Sequence, residues 1–129
     1  MLTHDYLYLV NNMRKIILAV VTPIAFLWGA AVNAAPFLAL ASWYGPGFYG
    51  NLTANGEVYY GDQYTTAHKS LPFGTRVRVT NPVTKQSIVV RVNDRGPYIG
   101  PREFDLSRAA AQAVGLIASG VATLQFEIL

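Results

Sequence analysis

Hydrophobic and polar residues alternate along three stretches of this chain, residues 75–80, 87–92 and 121–128. Alternation at period two is typical of strands with one buried face. Residues 81–85 join the first two stretches through an Asn-Pro turn, which predicts a β-hairpin. The side chains that we expect inside the fold are Val77, Val79, Val90, Val92, Leu106, Leu124 and Phe126.

Shorter patterns predict the remaining elements. Residues 39–44 read as a short strand and residues 65–69 as an extended segment. Residues 104–106 lead into one helix, for which Ser107 is the expected N-cap and Gly115 the C-terminal stop. Short strands, one helix and many Gly/Pro turns predict a small, closed, mainly β barrel.

One carboxylate stands at a position where the scaffold ends. The strand at 87–92 gives way to Asn-Asp-Arg-Gly-Pro at 93–97, which is turn chemistry. Asp94 is therefore held by a rigid element and can still reach a substrate. The alternative is that Asp94 only braces the turn or pairs with Arg95.

The N-terminal third has the pattern of an export signal. Two basic residues at 14–15 precede an uncharged apolar run at 16–28, and small residues follow at 29–35. This order is typical of a secretory signal peptide. We expect cleavage after Ala34, which divides the chain into a signal peptide (1–34) and one domain (35–129). Residues 1–12 fit a start codon assigned too early. The alternative is a retained membrane anchor, although the apolar run is short for a span.

Composition restricts the function classes. The formal net charge of +3 on 129 residues is mild and lacks the clustered basic face that indicates nucleic-acid binding. There is no cysteine, so neither a disulfide nor a lipid-bearing cysteine is available. Only His68 remains after Ala34, too few ligands for a usual zinc set. We expect no metal and no cofactor, and a monomer without a stable membrane anchor after cleavage.

Six blocks in order carry a family resemblance. They are ASWYGPGFYG at 41–50, TANGE at 53–57, TAHKSLP at 66–72, RVTN at 78–81, VVRVNDRGP at 89–97 and DLSRAA at 105–110. From about residue 39 onward the chain resembles the RlpA-like (rare lipoprotein A) family. The resemblance implies a six-stranded double-psi β-barrel, also found in expansins and barwin-like proteins. It implies a periplasmic or secreted protein whose partner is the glycan strands of peptidoglycan. The lipobox cysteine common in the family is absent.

The resemblance also implies an activity and site residues. Active members are lytic transglycosylases that prefer glycan strands stripped of stem peptides. Asp94 corresponds to the catalytic acid, and Glu57 and His68 correspond to its active-site companions. In this chemistry a carboxylic acid protonates the glycosidic oxygen between MurNAc and GlcNAc. The same group then takes a proton from the MurNAc 6-hydroxyl, which closes a 1,6-anhydro ring.

Other side chains are candidates for substrate binding. Four aromatic residues could stack on sugar rings, or two of them could instead fill one end of the barrel. We expect the substrate-binding set to be Trp43, Tyr44, Phe48, Tyr49 and Arg95. His68 by itself would more often be structural. Asp105 is interpreted as structural, through its neighbours Arg102 and Arg108.

Three functions are consistent with these patterns. The first is a peptidoglycan lytic transglycosylase, in which Asp94 is the acid and base. The second is a non-catalytic, expansin-like module that binds cell-wall glycan. The third is an inhibitor or interaction protein that uses the same barrel. The joint presence of Glu57, His68 and Asp94 favours the enzyme.

Overall fold

The structure is a computed structural model that describes residues 34–129. Except for Ala34, the predicted signal peptide and its alternative, a membrane anchor, lie outside these residues. The strands are β1 (Phe37–Trp43), β2 (Thr65–His68), β3 (Arg76–Thr80), β4 (Ser87–Asp94), β5 (Phe104–Leu106) and β6 (Val121–Ile128). The helix α1 spans Arg108–Ala113, and a single 3-10 turn spans Pro46–Phe48. Within 34–129, no helix has the length and apolar character needed to cross a membrane.

The six strands close into a barrel in the order β1-β5-β2-β4-β3-β6. The pairs β1/β5 and β2/β4 are parallel, and the other four pairs are antiparallel. The predicted hairpin is the β3/β4 pair, in which Val77 lies opposite Val90. The prediction of a mainly β, six-stranded barrel with one short helix is confirmed.

The core forms as the alternation predicts, because every second side chain of a strand faces the barrel interior. All seven predicted core residues are at most 1% exposed. The interior also contains two parallel aromatic rings, Phe104 and Phe126, with centroids 3.9 Å apart and an interplanar angle of 9°. Phe37 packs on both of these rings from the start of β1.

The segment that leads into the helix differs from the expectation. Residues 104–106 form β5, a three-residue strand between β1 and β2. Three residues are too few for a period to be read, and both sets of pairing partners are distant in sequence. The helix itself begins as predicted, since the Ser107 hydroxyl accepts a hydrogen bond from the Ala110 N–H. Gly115 follows the helix with φ of +73°, a conformation that favours glycine.

Candidate active site

The strand register assembles the site from residues far apart in sequence. Ser42 on β1 lies opposite Asp105 on β5, and Asp105 lies opposite Ala67 on β2. Across a register shift, Ala67 lies opposite Asp94 on β4. Directly opposed residues point to the same face of a sheet. The four residues therefore form one row, in which the small side chain of Ala67 lies between two carboxylates.

A cavity of about 570 Å³ lies over this row. Five of its lining residues were predicted as site residues, namely Trp43, Tyr44, Phe48, Asp94 and Arg95. Seven others were not predicted for the site, namely Asn51, Leu52, Pro97, Tyr98, Ile99, Arg102 and Asp105. Both carboxylates of the row thus line one cavity of the size that ligands occupy.

Asp94 is held by three hydrogen bonds. Its Oδ1 accepts from the backbone N–H groups of Ala54 and Arg95, both at 2.9 Å. Its Oδ2 accepts from the Tyr44 hydroxyl at 2.6 Å. β4 continues two residues beyond the predicted end at Val92, so Asp94 is its last residue. The three donors fix the orientation of its carboxylate at the cavity wall.

Tyr44 is the buried side chain that contacts Asp94. Its ring packs against Phe48 and Tyr59, with centroid distances of 5.5 and 4.9 Å. Burial, together with the hydrogen bond to the Asp94 carboxylate, raises the pKa of the Tyr44 phenol well above its ordinary value. Tyr44 therefore remains protonated and donates its proton to Asp94.

Asp105 has a different environment in the same cavity. Its Oδ1 accepts a hydrogen bond from the Ser42 hydroxyl at 3.0 Å, and that hydroxyl in turn accepts from Arg102 Nη1 at 2.9 Å. Burial raises the pKa of the Asp105 carboxyl, and the negative charge of Asp94 contributes in the same direction. The Ser42 hydrogen bond and the Arg102 charge oppose this shift.

Glu57 lies outside the cavity lining, and its carboxylate is bonded to other side chains of this chain. Its carboxylate forms a two-pronged ion pair with Arg91 and also accepts from the side-chain amides of Asn55 and Asn93, at 2.8 and 3.2 Å. The Arg91 hydrogen bonds, the largest cause, lower the pKa of Glu57 to about 2. Asn55 adjoins Ala54, so this network supports the loop whose N–H group reaches Asp94.

His68 likewise lies outside the cavity lining. Its Nδ1 accepts from the backbone N–H groups of Ser70 and Leu71, at 3.1 and 3.0 Å, and its ring packs on Phe104. Burial lowers the pKa of His68 below its ordinary value of 6.5. The neutral imidazole therefore stabilises the turn after β2.

Arg95 connects that turn to the cavity. Its guanidinium donates to the carbonyl oxygens of His68 and Leu71, at 3.3 and 2.8 Å, and lies 3.9 Å from the ring centroid of Phe73. Arg95 lines the cavity, and part of its hydrogen-bond donor capacity is already used by the chain.

Of the predicted aromatic set, only Tyr49 lies outside the cavity lining. It packs on Tyr59, and its hydroxyl accepts a hydrogen bond from Arg108. Phe48 is half exposed, whereas Trp43 also packs against the barrel core. Phe48 thus presents an exposed ring at the cavity, and Trp43 partly fills the end of the barrel.

The residues that sequence reasoning missed carried weak signals. Leu52, Tyr98 and Ile99 are apolar residues in loops with 70–74% exposure. Asp105 and Arg102 read as an ordinary local charge pair. Among residues 34–129, no cluster of three or more His, Cys, Asp or Glu side chains could hold a metal ion.

Comparison with known proteins identifies a family and relatives that match the barrel. The lytic transglycolase family matches residues 38–126. A probable endolytic peptidoglycan transglycosylase RlpA from Synechocystis is 56% identical over 90 residues, 70% of this chain and 28% of the relative. The endolytic peptidoglycan transglycosylase RlpA of Campylobacter jejuni is 49% identical over 90 residues, 70% of this chain and 33% of the relative. The chain thus spans about a third or less of the length of these curated relatives.

Solved structures match the fold. A papain inhibitor from Streptomyces has a TM-score of 0.61 at 19% identity, covering 76% of this chain and 97% of the inhibitor. An expansin from Clavibacter michiganensis has a TM-score of 0.58 at 24% identity, covering 74% of this chain and 50% of the expansin. At these identities the likeness concerns the barrel alone. The match over residues 38–126 and the identity to the curated relatives show that the chain belongs to the RlpA-like lytic transglycolase family of double-psi β-barrels.

Proposed function

We propose that the protein is an endolytic peptidoglycan lytic transglycosylase. It cleaves the bond between MurNAc and GlcNAc in glycan strands without stem peptides and leaves 1,6-anhydroMurNAc ends. The names of its relatives, at 49–56% identity across the barrel, support this activity. The preference for peptide-free strands rests on the family resemblance.

The observation that carries the proposal is the position of Asp94. Its carboxylate ends a barrel strand, lines a cavity of about 570 Å³ and is oriented by Tyr44, Ala54 and Arg95. A reacting carboxylate has to be held within a fraction of an ångström of its productive position by rigid supports. Two backbone donors and one buried phenol supply that support.

The proposed reaction transfers one proton between two oxygens of the substrate and consumes no water. The bond from MurNAc C1 to the glycosidic oxygen breaks, and that oxygen gains a proton. The MurNAc 6-hydroxyl loses its proton, and its oxygen bonds to C1. At minimum this requires one carboxyl group that first donates and then accepts a proton. Asp94 meets that requirement.

The cavity lining is suited to a sugar polymer. Phe48 and Tyr98 present exposed rings there, with 50% and 74% exposure, and aromatic faces pack well on the apolar faces of sugars. Arg95 and Asn51 add hydrogen-bonding groups beside Asp94. Glu57 and His68 act in this proposal from behind the cavity, by holding the loops that position the Asp94 donors and Arg95.

The same proposal includes export. The protein enters the periplasm or the medium through a signal peptide that is cleaved after Ala34. The domain at 35–129 then acts as a monomer on cell-wall glycan. N-terminal sequencing of the exported protein tests this step: a sequence that begins at Ala35 is expected, and a full-length cytoplasmic product would contradict it.

The test of activity uses peptide-free glycan strands and mass spectrometry of the products. We expect anhydro ends from the parent protein and none from a folded Asp94→Asn variant, since general acid–base catalysis contributes about 10²–10⁴-fold. The amide keeps the size of the carboxylate but cannot exchange a proton. Glycan binding without anhydro products in the parent would contradict the proposal and indicate a binding module.

A further inference from the structure

Two arginines line the cavity, and neither forms an ion pair with a carboxylate of residues 34–129. The guanidinium of Arg95 is bound by carbonyl groups of the turn after β2 and packs on the ring of Phe73. The residues that hold it lie outside the cavity lining. Arg102 differs, because its guanidinium is held by residues of the cavity itself and of the row beneath it.

Arg102 is fixed at the Ser42 end of the row that also contains Asp105, Ala67 and Asp94. Its Nη1 donates to the Ser42 hydroxyl at 2.9 Å, and its Nε donates to the carbonyl oxygen of Ile99 at 3.2 Å. Its Nη2 has no hydrogen-bond partner among residues 34–129. Within the same residues, Arg102 is linked to Asp105 only through the Ser42 hydroxyl. The guanidinium therefore keeps donors and its charge for a ligand.

A guanidinium in this setting favours an anionic ligand. Arg102 is half-buried, so solvent screens its charge less than that of a fully exposed arginine. The planar fork of arginine matches the two oxygens of a carboxylate, and such charge-assisted hydrogen bonds are about twice as strong as neutral ones. Burial raises the pKa of the Asp105 carboxyl, which lessens the repulsion between that group and a bound anion.

The proposed substrate offers an anion whose charge depends on the stem peptide. GlcNAc is uncharged, whereas MurNAc carries a lactyl ether that ends in a carboxyl group. In a strand with stem peptides, this carboxyl group is bonded to the first amino acid as a neutral amide. In a peptide-free strand it is a carboxylate, which is ionised at neutral pH. A cation in the cavity can therefore distinguish the two kinds of strand.

The row connects Arg102 to the proposed reaction centre. Ser42 and Asp94 stand at its two ends, three strand spacings apart, which is roughly 14 Å at about 4.8 Å per spacing. A glycan strand that lies along the row with its scissile bond at Asp94 also passes Ser42, where a lactyl group meets Arg102. The side chain of Ile99, which is 73% exposed, lines the cavity there and offers an apolar contact for the lactyl methyl group.

We propose that Arg102 is a specificity-determining residue, which binds the ionised lactyl carboxylate of MurNAc and thereby selects peptide-free glycan. This inference rests on the proposed function and gives a physical cause for the substrate preference included in it. The carboxylate accepts from Nη2 and from the second N–H of Nη1. A lactyl group in amide linkage has no negative charge and cannot form this ion pair.

The test compares two substrates that differ only in charge: peptide-free glycan, and the same glycan with its lactyl carboxylates converted to primary amides. For the exported protein, kcat/KM for anhydro-end formation should be about ten- to a hundredfold higher on the ionised glycan. This ratio should fall to about one for Arg102→Gln and be intermediate for Arg102→Lys, which keeps the charge but not the fork. Arg76→Gln is the matched control and should keep the ratio of the parent, because Arg76 is exposed on β3 and outside the cavity lining.

The ratio separates substrate recognition from a structural role, because a residue that only orients Ser42 or supports the fold changes both rates by the same factor. If Arg102→Gln keeps the ratio of the parent, another group binds the carboxylate and the inference is wrong, whatever the absolute rates. If the parent cleaves both substrates equally well, the preference for peptide-free strands is steric, and the inference fails while the proposed function stands. If the parent forms no anhydro ends from either substrate, the proposed function fails and this inference fails with it.

Discussion

The two carboxylates of the cavity and the motif residues Glu57 and His68 outside its lining have contrasting environments. Asp94 and Asp105 line a cavity of about 570 Å³, and neither forms an ion pair within 34–129. Glu57 lies outside that cavity in a two-pronged ion pair with Arg91 and accepts from two amides. The Nδ1 atom of His68 similarly accepts hydrogen bonds from two backbone N–H groups.

This difference separates groups that can react from groups that support them. A carboxylate whose oxygens are bonded to a guanidinium has little capacity left for a substrate proton, and the pKa of about 2 of Glu57 agrees with that. A side chain in a motif therefore need not touch the substrate. Glu57 stabilises the loop that contains Ala54, whose N–H group donates to Asp94. His68 stabilises the turn whose carbonyl groups hold the Arg95 guanidinium. Four experiments sharpen or break this distinction.

The largest effect is expected for Tyr44→Phe. The variant keeps the ring contacts with Phe48 and Tyr59 and loses only the 2.6 Å hydrogen bond to Asp94. A hydrogen bond to a charged group contributes about 1.5–3 kcal/mol, so kcat/KM should fall roughly ten- to a hundredfold. Tyr59→Phe is the matched control, because its hydroxyl accepts from Arg108 N–H and not from a carboxylate. Equal rates for the parent and Tyr44→Phe would show that Asp94 needs no such support.

His68→Ala should reduce stability by about 1 kcal/mol, since two partly solvated backbone N–H groups lose their acceptor. The pKa of His68 is below 6.5 in the folded protein, so the unfolded chain binds the proton more readily. The parent should therefore lose stability as pH falls through about 6.5, and the variant should not. Urea unfolding at pH 8 and pH 5 measures this. The same pH dependence in both proteins would contradict a buried, neutral His68.

Glu57→Gln and Arg91→Gln form a double-mutant cycle. Both side chains are about a third exposed, at 36% and 37%, so solvent weakens the pair and a coupling energy of about 0.5–1 kcal/mol is expected. Cleavage by a folded Glu57→Gln variant should remain within about tenfold of the parent, because Asp94 retains its donors. A loss as large as that of Asp94→Asn would place Glu57 among the reacting groups and end the distinction.

The smallest effect is expected for the ion pair between Arg78 on β3 and Glu127 on β6. Its side chains are 47% and 24% exposed and are joined by one 3.1 Å contact. Glu127→Gln should change the free energy of unfolding by less than about 0.5 kcal/mol, and the change should vanish in high salt. The expected weakness of the Glu57–Arg91 pair also rests on its solvent exposure. A larger or salt-independent effect of Glu127→Gln would therefore contradict that explanation for both pairs.

Local sequence was sufficient to predict the strands that are long enough for their alternation to be recognised. Alternation identified the β3/β4 hairpin and β6, and all seven predicted core residues are buried. The Ser107 cap and Gly115 stop located the helix, because both act within a few residues of the chain. The sequence also indicated that a strand ends near Asp94, since turn residues follow it directly.

What the sequence determined by itself was thus whatever depends on neighbours along the chain: strand faces, the helix ends and a carboxylate at the end of a strand. Only the tertiary structure decided which carboxylates share a cavity. Asp105 pairs with Ser42, 63 positions away, and shares a row with Asp94 through Ala67 on another strand. Likewise, Arg91 neutralises Glu57 across 34 positions. Barrel closure sets these contacts through strand order and register, and neither leaves a periodic signal in the chain.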